Sequence, residues 1–571
     1  MKTVIHFYTS GLRSLYNNTV IFRDSFSKFR FMLEKIIKKI IKANPQTQEE
    51  FLALKREFFY KYKIKQASNA ELLKLYNKLV KKQSGSTDKF AEILKKRKIR
   101  TLSGVAPVAV LTKSYGCPGE CVYCPTENKM PKSYLSNEPA VMRAILCGFS
   151  PFRQVTVRIK ALENNGHVAE KIELIVMGGT WSTFSEKYKY WYIKELFRAA
   201  NSFGKRAKSQ DNFSDLKLSD LKKELKKQQD KNETSKYRIV GLTLETRPDY
   251  INEKEILQFR EFGCTRVEIG VQAIDDKILK LNKRGHGVKE IVDATLLLKK
   301  AGFKINYHLM PNLPGATPAK DLKMFKDIFF DKRFLPDQIK IYPCVVVRGA
   351  ELYSWWKKGK YKPYTDKQLL ELLLKIKKIT PYYIRIVRLI RDIPTVSIEA
   401  GNKVSNLRQN LQKRMTEDGK SCKCIRCREA REKEVRPGEE KLFIESYNAL
   451  EGRELFLSIE SYDRKILYAF VRLRLPEIKD KNFYKIFPEL DGAGLIRELH
   501  TYGKLTPVNS GKGKAIQHQG FGKRLMLEAE KITKKSGFNK MAVISGIGVR
   551  EYYKKIGYNL EGTYMVKELK D

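Results

Sequence analysis

Between about residues 101 and 395, short apolar, β-branched runs alternate with longer stretches whose apolar residues recur every three or four positions. The runs predict strands at Val108–Thr112, Ile172–Gly178, Arg238–Glu245, Arg266–Gln272, Ile305–Met310 and Gln338–Pro343. Helical periodicity lies between them, as at Lys254–Phe262, Val288–Ala301 and Ala319–Phe330. Six such alternations predict an α/β domain with a parallel sheet, open or partly closed like a TIM barrel. Chemistry in such folds gathers where the strands end. Cys117 follows the first strand, Gly178, Gly179 and Thr180 end the second, and Glu245 and Gln272 end the third and fourth. His308 and Tyr342 lie near the ends of the last two, although His308, like His167 and His286, reads equally well as a loop or core histidine. Gly204–Lys236 is rich in Lys, Asp, Ser and Gln and is expected to be a solvated insertion.

Residues 1–96 predict a helical extension, with amphipathic stretches at Phe31–Lys42 and Glu49–Val80. Residues 1–100 carry 24 Lys/Arg against 8 Asp/Glu. Solvated helix faces alone account for such runs, but interleaved aromatics and the basic Arg97–Arg100 point to an RNA-binding arm. Residues 396–440 read as a charged linker, and 441–571 as a second α/β domain with a glycine turn before a helix.

Composition narrows this picture. The 571 residues are 42% hydrophobic and 11% aromatic, enough for sizeable cores, which excludes wholesale disorder. No run approaches the ~18 apolar residues of a membrane helix, and MKTVIHFYTSGLRSLYNN lacks a secretory apolar core. A cytoplasmic protein with no membrane partner is expected. The net charge of +48 predicts a polyanionic partner, most simply nucleic acid.

Six of nine cysteines fall in two clusters, Cys117/Cys121/Cys124 and Cys422/Cys424/Cys427, a pattern for metal rather than disulfides in a reducing compartment. The Cys-x3-Cys-x2-Cys loop resembles that of the radical-SAM superfamily. The resemblance implies three thiolates on a 4Fe–4S cluster whose open iron takes S-adenosylmethionine, with Gly178, Gly179, Thr180, Glu245 and Gln272 around it. A zinc knuckle with a distant fourth ligand is the alternative. Thr180 stands where the superfamily carries glutamate.

Gln517, Gly520, Phe521, Gly522 and Lys523 form a Q-x-x-G-x-G turn opening a helix. Its backbone could cradle a pyrophosphate, and it resembles the acetyl-CoA motif of GNAT acetyltransferases. Tyr552 and Tyr553 then stand where a phenol could protonate a leaving thiolate, or pack under the last strand. The second cysteine cluster predicts a structural zinc whose fourth ligand is Asp392, another residue or water.

The pairing of these domains, with VAPVAVLTKSYGCPGECVYCPTE, RVEIGVQAIDDKILKLNKRGH, LIRDIPTVSIEAGNKVSNLRQ, RELHTYG and QHQGFGKRLM among the matching stretches, resembles the Elongator catalytic subunit family over most of residues 97–571. The resemblance implies a partial (β/α)6 TIM-like radical-SAM barrel, a GNAT domain and a basic helical N-terminal extension. It implies carboxymethyluridine synthesis at the tRNA wobble position, in which a SAM-derived radical activates the acetyl group of acetyl-CoA. Lys171, Glu498, Leu499, His500, Thr501, Phe521, Gly522, Lys523 and Tyr552 would contact acetyl-CoA, and Cys422, Cys424 and Cys427 would hold the family's zinc. The partners implied are the tRNA anticodon loop, acetyl-CoA and a reductant for the cluster. A homodimer and accessory subunits are both compatible with the sequence. Two other readings remain open: a protein lysine acetyltransferase whose cluster domain is only structural, and a tRNA-binding scaffold without catalysis.

Overall fold

The computed structural model describes residues 29–79, 89–95, 101–404, 406–431, 433, 438–477, 481–503 and 520–569. Arg97–Arg100 and Gln517 lie outside them. The chain divides into two units, residues 1–100 with 159–168, and the remainder.

In the first unit, helices at 29–43, Gln48–Lys61, Asn69–Leu79 and Lys89–Leu94 enclose Ile36, Ile40, Phe51, Phe59 and Leu72. The single stretch expected at Glu49–Val80 is two helices. Lys63 takes a left-handed φ of 51°, and Ser68 with Glu71 restarts the helix through a reciprocal capping box (Glu71 N to Ser68 Oγ 3.2 Å, Ser68 N to Glu71 Oε2 2.7 Å). Phe31 and Tyr60 remain 67% and 88% exposed.

In the second unit, the six predicted strands form as β1 (Ala106–Leu111), β2 (Lys171–Met177), β3 (Arg238–Thr246), β4 (Arg266–Gln272), β5 (Lys304–Leu309) and β6 (Gln338–Ile341). They are parallel and in sequence order. β7 (Val346–Val347) pairs with β9 (Ile398–Ala400) outside this sheet, and β8 (Arg385–Arg388) adds an unpredicted seventh strand beside β6. The sheet curls into a half-barrel. Its two faces differ: Val267, Ile269, Val271, Ile305, Tyr307, Ile339 and Ile341 lie fully buried on one. The alternating positions carry Arg266, Glu268, Asn306, His308, Gln338 and Lys340 on the other. Parallel strands are ordinarily apolar on both faces, so a polar face marks a lumen built for chemistry.

The C-terminal sheet runs β10 (Glu440–Asn448), β11 (Gly452–Ser461), β12 (Leu467–Pro476), β13 (Ala493–Thr501), β14 (Lys540–Val543), β16 (Tyr564–Glu568), β15 (Asn559–Glu561) in spatial order. β13 and β14 are the parallel pair, joined by helix Phe521–Lys535. This domain covers the starts of the half-barrel strands. Gly546 and Gly548 lie against Val240 and Arg238–Ile239 so closely that a Cβ on either would overlap backbone. Arg497 Nη1 reaches Asp337 Oδ1 at 2.9 Å and Glu454 Oε2 at 2.8 Å, while Arg472 binds Glu498 and Tyr383 O, all deep in the interface.

Two expectations need correction. The segment 204–236 is not simply solvated: Leu218–Asn232 is a helix burying Leu221, Leu225 and Asn232. Glu233 after it pairs with Arg550 (3.0 Å) and Lys554 (2.9 Å). Nor is the charged linker expected at 396–440 only a connection. It contributes β9, a helix at Leu407–Glu417 and a turn whose Ile425 N donates to Ile384 O (2.9 Å).

Candidate active site

The cysteine loop follows β1 over the C-terminal ends of the half-barrel strands. A Cβ on Gly119 would stand 3.5 Å from Cys121 Sγ and 3.6 Å from Cys117 Sγ, so both sulfurs wrap this glycine. Thr180, the departure noted in the sequence, places Oγ1 3.7 Å from Cys117 Sγ. Arg284 Nη1 donates to Cys121 Sγ at 3.0 Å. Burial first, then the neighbouring Cys121, pushes the Cys124 thiol up to about 11, against the pull of Ser133, Arg391 and Lys132. Arg391 in turn donates to Ser133 Oγ (2.7 Å) and sits over the Tyr134 ring. Three thiols ringed by cations suit an anionic metal–thiolate cluster, whose sulfurs must be deprotonated.

Room for a ligand is built beside them. Gly178 (φ 135°) and Gly179 (φ 96°) follow β2, and a Cβ on Gly178 would collide with Thr112 Oγ1, a buried hydroxyl that has no partner among the described residues. Gln272 ends β4 in a left-handed conformation (φ 68°), and its Oε1 has no partner among the described residues. Glu245 accepts from Tyr134 Oη (3.0 Å).

From Glu245 the polar lumen runs towards the strand starts. His308 lies between Glu245 (Nδ1 to Oε1 3.6 Å) and Glu268 (Nε2 to Oε2 2.9 Å), so it is a lumen residue and not a core filler. Burial opposes ionisation of Glu268, but Lys340, His308 and Arg266 outweigh it and hold the carboxyl well below its usual range. Arg266 binds Glu173 on β2 at 2.5 Å. His286 is buried beside Arg284 and Arg247, and desolvation with those two charges drives it down to about 3, so it stays neutral near Asp249. His167 is buried, with its main chain bonded to Leu162.

At the opposite edge, β13 and β14 pair only through Ile496↔Val543 and then part. Glu498–Thr501 keep β12 as their partner among the described residues. Gly520 (φ 74°) caps the helix that begins in this gap. A Cβ on Gly522 would lie 3.0 Å from Tyr552 Oη and 3.9 Å from both Leu499 and Thr501 Oγ1, so four residues expected at one ligand converge. Tyr552 is 38% exposed, and burial of its ring raises its phenol. Tyr553 is corrected to a core residue, packed on Tyr558 and Tyr552. The Glu498 carboxylate is engaged by Arg472 Nε (3.0 Å) and Lys304 Nζ (3.4 Å), leaving its main chain for a ligand. His500 Nε2 bonds Ser103 O (2.7 Å). Lys171 opens β2 on this edge, and burial lowers its ammonium. The seven residues of β2 separate the two edges by roughly 20 Å at ~3.3 Å per residue.

Cys422, Cys424 and Cys427 bring their sulfurs within 4.8 Å of one another. Asp392 is not with them; Arg388 holds it. Buried Lys377 places Nζ 3.5 Å from Cys427 Sγ. Three thiols beside a cation fit a bound metal ion.

Residues 111–328 match the model of the Radical SAM superfamily, and 336–417 that of the Radical_SAM C-terminal domain. The latter match runs from the sixth strand region into the segment after residue 395. The tRNA uridine(34) acetyltransferase of Methanocaldococcus infernus is 42% identical over 558 residues, 95% of this chain and 99% of that one. Elongator complex protein 3 of Homo sapiens is 39% identical over 493 residues, 84% and 86% of the two chains. The chain belongs to this tRNA uridine(34) acetyltransferase and Elongator complex protein 3 family. Among solved structures, the M. infernus Elp3 with an N-terminus deletion (1–46) matches with TM-score 0.67 and 41% identity, covering 82% of this chain and 99% of that one.

With membership in this family established, the residues that patterning missed stand out: Arg284, Arg391, Tyr134, Glu268 and Lys340. Each is a charged or polar group on a strand face or loop whose importance comes from a partner far along the chain. The alternation in RVEIGVQ already marked Glu268 as facing away from Val267 and Ile269. For Gly178→Ala, the positive φ and the clash with Thr112 predict a loss of about 1–3 kcal/mol, read as a lowered urea midpoint, with weakened SAM binding by equilibrium dialysis. Among the described residues no helix is long and apolar enough to cross a membrane.

Proposed function

We propose that the chain builds a carboxymethyl group on C5 of the wobble uridine of tRNA from acetyl-CoA and S-adenosylmethionine. The observation that supports it most is the polar lumen joining the cysteine loop at one edge of the half-barrel to the splayed β13/β14 pair at the other. Names of relatives, tRNA uridine(34) acetyltransferase among them, point the same way.

Cys117, Cys121 and Cys124 would hold a 4Fe–4S cluster, with Gly178, Gly179, Thr180, Glu245 and Gln272 beside its SAM. When bound, this pair supplies a 5′-deoxyadenosyl radical. Arg284 and Arg391 offset the negative charge of the thiolates. The parted strands would offer free backbone groups to the extended acyl-CoA arm, and Gly520 with the helix start would take its pyrophosphate. Tyr552, near Gly522 and Thr501, would give a proton to the leaving thiolate. Glu268, His308 and Lys340 would line the passage in which the base is modified. Residues 1–96, with exposed Phe31 and Tyr60 among many lysines, would grip the tRNA, and 441–571 would be the GNAT domain. Cys422, Cys424 and Cys427 would hold zinc, pinning the turn that joins Ile384 to the C-terminal domain.

Anaerobic reconstitution with reductant, SAM, acetyl-CoA and tRNA should yield carboxymethyluridine by nucleoside mass spectrometry. Its absence with a fully loaded cluster would sink the proposal. Tyr552→Phe should slow acetyl-CoA consumption by about 10²-fold, the lower range for a positioned proton donor, without changing tRNA affinity. An unchanged rate would remove Tyr552 from proton transfer.

A further inference from the structure

A cavity of about 500 Å³ opens beside the cysteine loop, lined by none of the residues assigned above to the cluster, SAM or acetyl-CoA. Its apolar floor is Leu281, Leu313 and Ala316, its wall includes Trp355, and exposed Lys360 and Lys362 line it. The size is that of a small-molecule or nucleotide pocket, and among the described residues no carboxylate lines it.

The segment that builds it is unusual: Trp355–Tyr364 holds Trp355, Trp356, Tyr361 and Tyr364 interleaved with Lys357, Lys358, Lys360 and Lys362. Three of the four rings are already engaged. Trp356 packs on Tyr353 with Lys357 above it. Tyr361 Oη donates to Asn312 O (2.7 Å), and Tyr364 Oη to Asp321 Oδ2 (2.8 Å). Those bonds fix the segment to the loop after β5 and to the helix Pro318–Phe330 that follows it. Trp355 makes no ring contact among the described residues, and neither Lys360 nor Lys362 makes an ion pair among them. A rigid frame thus presents one free indole and two free ammonium groups to the same space.

The frame is also bound to the cysteine loop. Leu352 N donates to Val122 O (2.7 Å), Val122 N to Asn282 O (3.3 Å) and Thr126 N to Gly349 O (3.1 Å). Asn282 adjoins the floor residue Leu281, and Leu352 lies on the helix that carries Trp355. Both walls are therefore held to the main chain between Cys121 and Cys124.

An indole with nearby lysines and no acid suits a flat, neutral heterocycle joined to a phosphate, which is an unpaired nucleotide. We propose that this cavity holds a second nucleotide of the tRNA anticodon loop, its base stacked on Trp355 and its phosphate on Lys360 and Lys362, so that its neighbour enters the half-barrel. The proposal rests on the tRNA reading above and adds a specificity-determining subsite to it.

The test uses the full chain with its cluster and a fluorescently labelled anticodon stem–loop RNA, read by anisotropy. Trp355→Leu should weaken binding roughly 5- to 100-fold, the loss of one base–aromatic stack, and Trp355→Phe should recover most of it. Lys360→Ala with Lys362→Ala should reduce the log–log salt slope by about 1.4, two single-strand phosphate contacts. An abasic site at the nucleotide bound here should cost wild type the same factor yet cost Trp355→Leu nothing further. SAM cleavage without RNA should be equal in all variants, showing that they fold. Unchanged RNA affinity in Trp355→Leu, or an abasic penalty that persists in it, overturns the subsite. So does loss of RNA-free SAM cleavage in that variant, which would give the cavity to the cofactor. Wild-type protein that does not bind the stem–loop overturns the tRNA reading itself.

Discussion

Cys121→Ser is expected to yield no detectable carboxymethyluridine while tRNA affinity stays at the wild-type level. Cys121 is buried beside Gly119 and receives the Arg284 guanidinium at 3.0 Å. A serine hydroxyl offers no thiolate, and two remaining sulfurs cannot hold the open-iron arrangement that needs three. Arg284 would then be a buried cation facing a neutral group, which adds a folding cost. Two measurements separate these effects: iron content with the cluster's visible absorbance, and the urea midpoint. The expected pattern is lost absorbance and lost product with a cooperative unfolding transition. Retained product would refute the radical route. Retained acetylation of protein lysines in this variant, with tRNA irrelevant, would support the lysine acetyltransferase reading instead.

Arg497→Met is expected to destabilise the second unit by about 3–5 kcal/mol, the usual result of removing one partner from a buried ionic network. Arg497 binds both Asp337 of the half-barrel and Glu454 of the C-terminal sheet, and all three are essentially inaccessible. Deleting it removes the cation shared by two buried carboxylates, leaving Asp337 with Arg472 (3.5 Å) and Glu454 with Arg474 (3.0 Å). The same interface predicts acid sensitivity. For Glu498, burial raises the pKa, but Lys304 and Arg472 outweigh it and bring the group from 4.5 down to about 2. Glu454 is held low for the same kind of reason, by Arg497, Lys299 and Arg474 against burial. A carboxyl with a lower pKa folded than unfolded binds fewer protons when folded. Its stabilisation is therefore complete above the ordinary 4.5 and disappears as pH falls towards about 2. Urea midpoints should fall between pH 6.5 and 3.5, and fall less in Arg497→Met than in wild type. Equal midpoints for the two proteins at pH 6.5 would show that the interface is not held by these ions.

How much was legible follows from what each feature depends on. Six strands were readable because each is a compact β-branched run between helical periods. β8, Arg385-Ile386-Val387-Arg388, is too short and too basic to register as a strand, and its place beside β6 is decided by pairing. The break in the N-terminal helical stretch was readable in Ser68 and Glu71, a local capping pair, but apolar spacing alone runs straight through it. Tyr552 and Tyr553 are adjacent in sequence and equivalent by residue type. Only the direction of their side chains sends one to Gly522 and the other under Tyr558. Asp392 was a chemically sensible fourth ligand until Arg388 was seen to hold it.

By itself the sequence determined the order of strands, the two thiol clusters, the glycine turn and the polar alternation on β4 to β6. All of these are set by residue type and spacing within one segment. The tertiary structure alone decided that the cysteine loop and the parted β13/β14 strands occupy opposite edges of one half-barrel. It also decided that a chain of charges, with buried Glu268 between half-buried Glu245 and Glu173, lies between them. The physical reason is that these charges become a lumen only when parallel pairing sets β2 through β6 side by side, in register, and curls their polar faces inward. No single segment records that closure.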